Sequence, residues 1–305
     1  MPDGDPLDST DQSRLTAFDQ HRGLLFSIAY RMLGSVADAE DILQETFIRW
    51  LQASADDIRS PKAFLITIIT RLSINHLQSA RVRREEYVGQ WLPEPVVIDE
   101  GRDPAGRLQA DESLSIAFLV LLERLNPTER AVFLLREVFD YEYAEIAAAL
   151  GISEANCRQI LRRARQHVRA ERPRFKATEE EHDALLERFQ QAALSGDVGS
   201  LEALLSADVV LHTDGGGKAP ALPNLVHGAN NVARAIVGGI TRLTPRNLVQ
   251  RMVQINGEPG IVTYLNGRPF GVFTIQVSEG HIAAVYAITN PDKLSHLPGL
   301  PAAPS

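Results

Sequence analysis

Four arginines recur with helical spacing near the middle of the chain. They fall at i, i+4, i+7 and i+11, so they share one face of a helix: Arg158, Arg162, Arg165 and Arg169. A second stripe with helical spacing is apolar and is expected to be buried: Cys157, Ile160, Leu161, Ala164 and Val168. Because guanidinium groups bind phosphates and guanine edges, a helix with these two faces suits the major groove of DNA.

The residues before this helix predict a helix-turn-helix. A short helix is expected over Ala144–Leu150, Gly151 supplies the turn, and Ser153 caps the second helix. A recognition helix contacts bases mainly through its N-terminal part. The predicted DNA-contacting set is therefore Glu154, Asn156, Arg158, Gln159, Arg162 and Arg165. The alternative is a solvated, arginine-rich surface helix, but the turn and the two stripes favour DNA contact.

Two further helices carry polar groups in patterns that are weak on their own. The helix predicted over Ala37–Trp50 has four polar side chains on one side: Glu40, Asp41, Gln44 and Glu45. The helix predicted over Ala63–Arg84 carries Asn75 and His76 and then a basic cluster: Arg81, Arg83 and Arg84. Taken singly, each pattern is typical of an ordinary solvated helix face.

Composition limits the class of protein. The chain has 305 residues, 44% of them hydrophobic and 23% charged, with a formal charge of −8, which indicates a soluble globular protein of two or three domains. A single cysteine excludes an intramolecular disulfide and a cysteine-built zinc site. No apolar run approaches the roughly 20 residues of a membrane span. We therefore expect a cytoplasmic protein with no membrane partner.

The pattern changes after Pro173 from all-helical to mixed. Helical segments at Ala184–Leu194 and Leu201–Leu205 precede a strand at Val209–His212 and a short helix near Val232–Val237. Four runs typical of strands follow, with turn signals between them: Leu248–Ile255, Gly260–Leu265, Phe270–Val277 and His281–Ile288. The chain is thus predicted to be all-α in its first part and α+β in its last.

The order of an acidic helix, a basic-ended helix, a linker and a helix-turn-helix resembles the extracytoplasmic-function sigma factors of RNA polymerase. The resemblance rests on DAEDILQETFIRW (38–50), SPKAFLITIITRLSINHL (60–77) and LNPTERAVFLLREVFDYEYAEIAAALGISEANCRQILRRARQ (125–166). It implies two all-α sigma domains that bind the polymerase core (β′ and β subunits) and promoter DNA. The polar and acidic side chains Glu40, Asp41, Gln44 and Glu45 would dock on a basic coiled coil of β′.

The same resemblance assigns the promoter contacts. The −10 element would be read and opened by residues of the basic-ended helix: Asn75, His76, Arg81, Arg83 and Arg84. The −35 element would be read by the recognition helix. Because the polymerase supplies the chemistry, we predict no catalytic residue, no metal and no cofactor in the sigma part.

The α+β part resembles a SnoaL-like domain of the nuclear-transport-factor-2 fold. Three stretches resemble the sigma subgroup, often called SigJ-like, that carries this extension: Trp91-Leu92-Pro93-Glu94-Pro95, Asp214-Gly215-Gly216-Gly217-Lys218 and Asn290-Pro291-Asp292-Lys293-Leu294. The extension is implied to act as a built-in regulator in place of a membrane anti-sigma factor. A Trp beside Leu and two prolines is a stiff anchor, so we expect the C-terminal domain to hold the linker through these stretches.

These inferences give a domain plan for a monomer. We expect a disordered N-terminus at 1–16, sigma domain 2 at 17–88, a linker at 89–112, sigma domain 4 at 113–172, the SnoaL-like domain at 178–295 and a tail at 296–305.

Two other functions and a simpler interpretation of the linker stay open at this point. A ligand-sensing helix-turn-helix repressor would explain the arginines but not the acidic helix, and it would usually need a dimer. An enzymatic C-terminal domain would draw on pocket residues: His212, Asp214, His227, Tyr264, His281 and Tyr286. The Trp91–Pro95 stretch could also be only a stiff spacer, with Asp214–Lys218 a flexible loop.

Overall fold

The computed structural model describes residues 9–54, 58, 60–85, 87–97, 114–169, 177–243, 245 and 247–300. The chain falls into two compact units. The first comprises Met1–Val82 and Leu122–Ala170, and the second comprises Arg83–Leu121 and Glu171–Ser305. Each unit is therefore built from two separate stretches of sequence, and the boundaries differ from the predicted plan, since the predicted linker groups with the C-terminal domain.

Seven helices precede the mixed part of the described chain. They are α1 (Ser9–Leu33), α2 (Val36–Gln52), α3 (Pro61–Glu85), α4 (Ile116–Leu122), α5 (Pro127–Glu137), α6 (Tyr143–Leu150) and α7 (Glu154–Arg169). Local chemistry sets their ends. Gly34 follows α1 with a φ of 67°, and the Ser35 hydroxyl accepts a hydrogen bond from the Asp38 N–H at 3.1 Å to begin α2. Gly151 adopts a φ of 69° between α6 and α7, as the predicted turn requires.

Buried arginines join the helices of the first unit. The Arg130 guanidinium donates at 2.7 Å to the carbonyl oxygen of Met32, at the end of α1, and at 2.7 Å to that of Leu122. Arg31, also buried, places its guanidinium carbon 5.6 Å from the centre of the Phe139 ring. These contacts hold α1 against the segment that contains α5 and α6.

The second unit contains the sheet. Its elements are α8 (Glu179–Ser195), α9 (Val198–Glu202), β1 (Leu205–Asp214), β2 (Val226–His227), α10 (Ala229–Leu243), β3 (Leu248–Ile255), β4 (Glu258–Leu265), β5 (Arg268–Ser278), β6 (His281–Ile288) and α11 (Pro291–Leu294). The strand order is β2-β1-β6-β5-β4-β3. The pairing of β1 with β6 is parallel, and the other pairings are antiparallel.

The two faces of this sheet pack against different parts of the chain. One face packs against apolar side chains of α8 and α10, among them Phe189 and Val232. The other face packs against residues from three places in the chain: Leu92 and Val97 before the helix-turn-helix region, Ile116 of α4, and Leu294 and Leu297 after the last strand. The linker and the C-terminal tail are thus part of the core of the second unit.

The fold class predicted from the sequence is confirmed, and two expectations are wrong in part. Residues 9–16, expected to be disordered, form the start of α1. The segment Leu201–Leu205 is not one helix, because α9 ends at Glu202 and Leu205 already begins β1. The predicted strand Val209–His212 is the middle of this ten-residue strand. The strand prevails because Leu205, Val209 and Leu211 can all enter the core between sheet and helices.

Candidate nucleic-acid interface and linker-binding site

Helix α7 presents its apolar stripe and three of its four arginines as the sequence predicts, and the side chain of the fourth, Arg169, lies outside the described residues. The apolar stripe is buried: Cys157, Ile160, Leu161, Ala164 and Val168. Burial also raises the pKa of the Cys157 thiol. The predicted DNA-contacting side chains are all exposed: Glu154, Asn156, Arg158, Gln159, Arg162 and Arg165. The Ser153 hydroxyl accepts a hydrogen bond from the Asn156 N–H at 3.2 Å, which fixes the N-terminal end of α7.

Two of these arginines are positioned by neighbours on other helices. The Arg158 guanidinium carbon lies 4.9 Å from the centre of the Tyr143 ring on α6, and its Nη2 also lies 2.7 Å from Oε2 of Glu154, one turn earlier on α7 itself. Arg165 Nη2 lies 2.7 Å from Glu137 Oε1. Such exposed ion pairs contribute little, about 0–1 kcal/mol, so phosphate groups can replace the carboxylates at small cost.

Helix α2 forms an acidic surface. Its buried side includes Ala39, Ile42, Leu43 and Trp50. On its polar side, Asp41 and Gln44 are exposed, whereas Glu40 and Glu45 are partly buried. Glu40 pairs with Arg22 at 3.5 Å and Glu45 with Arg49 at 2.7 Å.

Helix α3 carries the predicted −10 residues, and the structure describes only some of their side chains. Asn75 is exposed, and His76 is partly buried with its Nε2 3.4 Å from Asp38 Oδ1 at the start of α2. Arg81, Arg83 and Arg84 lie on α3, but their side chains are outside the described residues.

The second unit contains a buried ion pair that binds the linker. Asp214, at the end of β1, is 0% exposed, and its Oδ2 lies 2.7 Å from the ammonium of Lys293, which is 5% exposed. The Tyr87 hydroxyl donates to Asp214 Oδ1 at 2.6 Å, and the Leu92 N–H donates to Oδ2 at 2.8 Å. Lys293 also donates to the Leu92 carbonyl oxygen. Both backbone groups of Leu92 are thus held by the ion pair.

Aromatic side chains of the linker surround the same ammonium group. The Lys293 Nζ lies 4.2 Å from the centre of the Trp91 ring and 5.2 Å from that of Tyr87. The Asn290 side-chain amide donates to the Tyr87 hydroxyl at 2.8 Å. Burial and the neighbouring Asp214 carboxylate raise the pKa of Tyr87. Trp91 itself is only partly buried, and the fully buried apolar side chain of this stretch is Leu92.

The glycines after Asp214 lie where larger residues would not fit. A Cβ at Gly216, which has a φ of 59°, would overlap the Asn290 side chain, and one at Gly217 would lie 3.2 Å from the Val88 side chain. At the surface, Lys218 pairs with Asp292 at 2.5 Å. Gly215 is also closely packed, against Ala219. The close approach of Asn290 and Val88 therefore requires glycine at these positions.

The linker and the start of α4 are also held at a second point, the β3–β4 turn. Asn256 Oδ1 accepts from the Val96 N–H at 2.8 Å, and its Nδ2 donates to the Leu114 carbonyl oxygen at 2.9 Å. The Asn256 N–H donates to the Val96 carbonyl oxygen at 2.8 Å. Nearby, His296 Nε2 donates to the Pro95 carbonyl oxygen at 2.8 Å. Pro93 and Pro95 are buried and Glu94 is partly buried.

Sequence reasoning missed three residues of this site. Tyr87, Asn256 and His296 lie outside the three stretches, and Asn256-Gly257 by itself predicts only a turn between two strands. Nothing local to Tyr87 or His296 marks them, because their partners lie 127 and 201 residues away in the sequence.

The residues considered for catalysis are distributed over the sheet. Both carboxylate oxygens of Asp214 are engaged by the linker and Lys293. His212 stacks on Tyr286 with ring centres 4.9 Å apart, and burial raises the pKa of Tyr264. His227 and His281 are exposed.

Within the described part of the chain, no helix combines the length and the apolar character needed to cross a membrane.

Comparison with known proteins identifies the family. Residues 17–83 match the model for Sigma-70 region 2, and residues 115–168 match the model for Sigma-70, region 4. The chain is 37% identical over 295 residues to the ECF RNA polymerase sigma factor SigJ of Mycobacterium tuberculosis H37Rv, covering 93% of this chain and 94% of SigJ. It is 30% identical over 283 residues to the probable ECF RNA polymerase sigma factor SigI of the same strain, covering 92% and 94%.

A solved structure agrees over the same length. The crystal structure of M. tuberculosis SigJ superimposes with a TM-score of 0.75 at 36% identity, covering 92% of this chain and 98% of that one. The agreement extends over both sigma domains and the six-stranded C-terminal sheet. The chain therefore belongs to the extracytoplasmic-function group of RNA polymerase sigma factors.

Proposed function

We propose that this sigma factor directs RNA polymerase core to −35/−10 promoters and that its C-terminal domain supports this activity in cis by holding the linker. The buried Asp214–Lys293 pair carries the second part: besides the Gly216 N–H, the Asp214 carboxylate accepts from the Tyr87 hydroxyl and from the N–H of the linker residue Leu92, and Lys293 donates to the Leu92 carbonyl oxygen. The site is thus complete only when the linker is bound.

The energetics of a buried ion pair explain why the linker is held firmly. Burying two charges costs several kcal/mol per ion and is offset only when hydrogen bonds satisfy the remaining donor and acceptor sites. Here the Tyr87 hydroxyl and both backbone groups of Leu92 supply three of those bonds, and the Gly216 N–H supplies another. Release of the linker would leave Asp214 and Lys293 short of partners, so the state of the linker and the stability of the C-terminal domain are coupled.

We assign the promoter contacts to polar and basic side chains of α7 and α3. The −35 element is read by α7 through Glu154, Asn156, Arg158, Gln159, Arg162 and Arg165, which share its solvent side. The −10 element is read by α3 through Asn75, His76 and the arginines near its end. Exposed guanidinium groups near the N-terminal end of a recognition helix are the groups that contact phosphates and guanine.

We assign the polymerase dock to α2. Asp41 and Gln44 are exposed there, and the paired Glu40 and Glu45 add negative charge. We expect Asp41→Arg to abolish binding of polymerase core, measured by co-purification, because it reverses charge at the dock. The control is Glu187→Arg, which reverses the charge of an exposed side chain on α8. This variant should bind polymerase core normally. Normal core binding by Asp41→Arg would refute this dock.

The contacts of Asp214 and Lys293 with Tyr87 and Leu92 form what we call the linker clasp. Two matched lysine substitutions test it. Lys293→Met removes the buried ammonium, and Lys218→Met removes an exposed one whose partner, Asp292, is also exposed. Transcription from the cognate promoter with purified core should fall about tenfold for Lys293→Met and stay within twofold for Lys218→Met. Trp91 fluorescence, in a Trp50→Phe background, reports release of the linker. Linker release with unchanged transcription would refute control in cis.

The contacts of Asp214 favour a regulatory C-terminal domain over a catalytic one. A general acid or base must be able to reach a substrate, and the Asp214 carboxylate already binds Tyr87, Leu92 and Lys293. We therefore assign the domain a structural and regulatory role. Turnover of a small molecule by the isolated full-length protein would overturn that assignment.

A further inference from the structure

We infer that Tyr87 is a positioning residue through which the C-terminal domain fixes the end of α3, so that the linker clasp acts on promoter opening rather than on core binding. The inference rests on the proposed function of the clasp and adds the step of transcription that it controls. It also adds a residue that lies outside the three quoted stretches.

The first support is the position of Tyr87 along the chain. Helix α3 is continuous from Pro61 to Glu85, and only residue 86 separates it from Tyr87. Two residues span at most about 7 Å, so a fixed Tyr87 confines the helix end to that radius. The last residues of α3, from Arg83 onward, also group with the C-terminal domain and not with the first unit.

The second support is how completely Tyr87 is held. Its hydroxyl donates to Asp214 at 2.6 Å and accepts from Asn290 at 2.8 Å, so both hydrogen-bonding roles are used. Its ring faces the Lys293 ammonium at 5.2 Å. Three partners from β1, the residue before α11, and α11 itself thus fix the hydroxyl and the ring face together.

The third support is that the residues assigned to the −10 element and those assigned to the polymerase dock lie on different helices. The residues assigned to the −10 element lie in the last three turns of α3, from Asn75 onward, directly before Tyr87. The residues assigned to the polymerase dock lie on α2, which ends at Gln52. Ordering a chain segment costs conformational entropy, and the clasp orders the end of α3 before DNA arrives, so that this cost does not fall on the promoter complex. Loss of the Tyr87 contacts transfers it to the promoter complex.

Tyr87 differs in this respect from the other linker anchors. Leu92 and Val96 are seven and eleven residues beyond Glu85, so chain between them and α3 can absorb their movement. Their release changes the linker, whereas release of Tyr87 changes the helix end itself.

The test compares three variants of the full-length protein in holoenzyme: Tyr87→Ala, Tyr87→Phe and Glu187→Gln. Tyr87→Phe removes only the two hydroxyl bonds and keeps the ring beneath Lys293. Glu187 is exposed on α8, so Glu187→Gln is the control. Opening is measured with a fluorescent base analogue in the −10 element, and core affinity is measured separately. Thermal unfolding establishes that each variant is folded.

We expect Tyr87→Ala to lower the yield of open complex about fivefold to tenfold, Tyr87→Phe to lower it about threefold, and Glu187→Gln to leave it unchanged. Core affinity should stay within twofold throughout. A template already unpaired over the −10 element should restore Tyr87→Ala to the wild-type level, which a general folding defect would not allow.

Several outcomes would overturn the inference. An increased or unchanged yield of open complex, a parallel loss of core affinity, or failure of the unpaired template to rescue would each do so. If Tyr87→Ala does not fold, Tyr87→Phe alone decides. The Lys293→Met result separates the two proposals: a Lys293→Met defect without a Tyr87 defect leaves control in cis standing and removes the role of Tyr87.

Discussion

The side chain of Arg71 donates a hydrogen bond from Nε to the carbonyl oxygen of Ala149 at 2.7 Å. Arg71 lies on α3 one turn before Asn75, and Ala149 lies in the last turn of α6, just before the helix-turn-helix turn. A helix assigned to the −10 element and the module assigned to the −35 element are therefore in direct contact within the first unit. Arg130 and Arg31 add buried contacts between α1 and the segment from α5 to Phe139, which precedes this module.

This contact is expected to break when promoter DNA is bound. The two elements lie about 25 base pairs apart, which is about 85 Å of helix axis at 3.4 Å per base pair. Helix α7 is about 24 Å long, so it cannot reach one element while α6 touches α3 at the other. Fluorescent labels at Gln78→Cys and Gln166→Cys, both exposed, should move apart on formation of the promoter complex. An unchanged distance between the labels would contradict this prediction.

Arg162 offers a test of the −35 surface through salt dependence. Its guanidinium is exposed on the same face of α7 as Arg158 and Arg165. If it binds a phosphate, Arg162→Ala should weaken −35 binding for all sequences alike and reduce the slope of log K against log salt by about 1. Arg188→Ala, exposed on α8, is the control and should leave the slope unchanged. A loss of base preference at one position, with the slope intact, would instead indicate a base contact.

The sequence predicted the elements and the local contacts, because these depend on short-range patterns. The stripes of α7, the Gly151 turn and the strands β3 and β6 follow from spacing alone. The linker site could be predicted only as a set of stretches, since its contacts join residues more than 100 positions apart. Trp91 stood out by type, yet the buried anchor is Leu92, because burial depends on which side of the linker faces the sheet.

The carboxyl group of Glu258 should make folding stability depend on pH. Burial raises its pKa from the ordinary 4.5 to about 7. Because the folded-state value is the higher one, the folded chain binds the extra proton, and stability falls as the pH rises from about 5 to above 7. Glu258→Gln should raise the melting temperature at pH 8 by about 2–4 °C and change it little at pH 5. Glu187→Gln, at an exposed site, is the control, and equal shifts in both variants would contradict the assignment.

Asn256 and Asn266 lie in equivalent turns. Comparing variants at the two positions distinguishes the stability that comes from the linker contacts from the stability that comes from the turn conformation. Asn256 and Asn266 have φ values of 54° and 51°, and each precedes a glycine with positive φ in a strand-to-strand turn. Only Asn256 is buried and bonded to Val96 and Leu114, whereas the Asn266 side chain accepts a single exposed bond, from Asn247.

Alanine at either position must adopt the left-handed conformation, at a cost of about 1–2 kcal/mol. At position 256 it also leaves the Val96 N–H and the Leu114 carbonyl without a side-chain partner, which adds about 2–3 kcal/mol. Chemical denaturation should therefore show a larger decrease in the free energy of unfolding for Asn256→Ala than for Asn266→Ala. Glycine at the two positions removes the conformational cost, so Asn256→Gly should retain most of the difference from Asn266→Gly. Equal losses for the two alanine variants would mean that the turn, and not the linker contact, is what Asn256 stabilises.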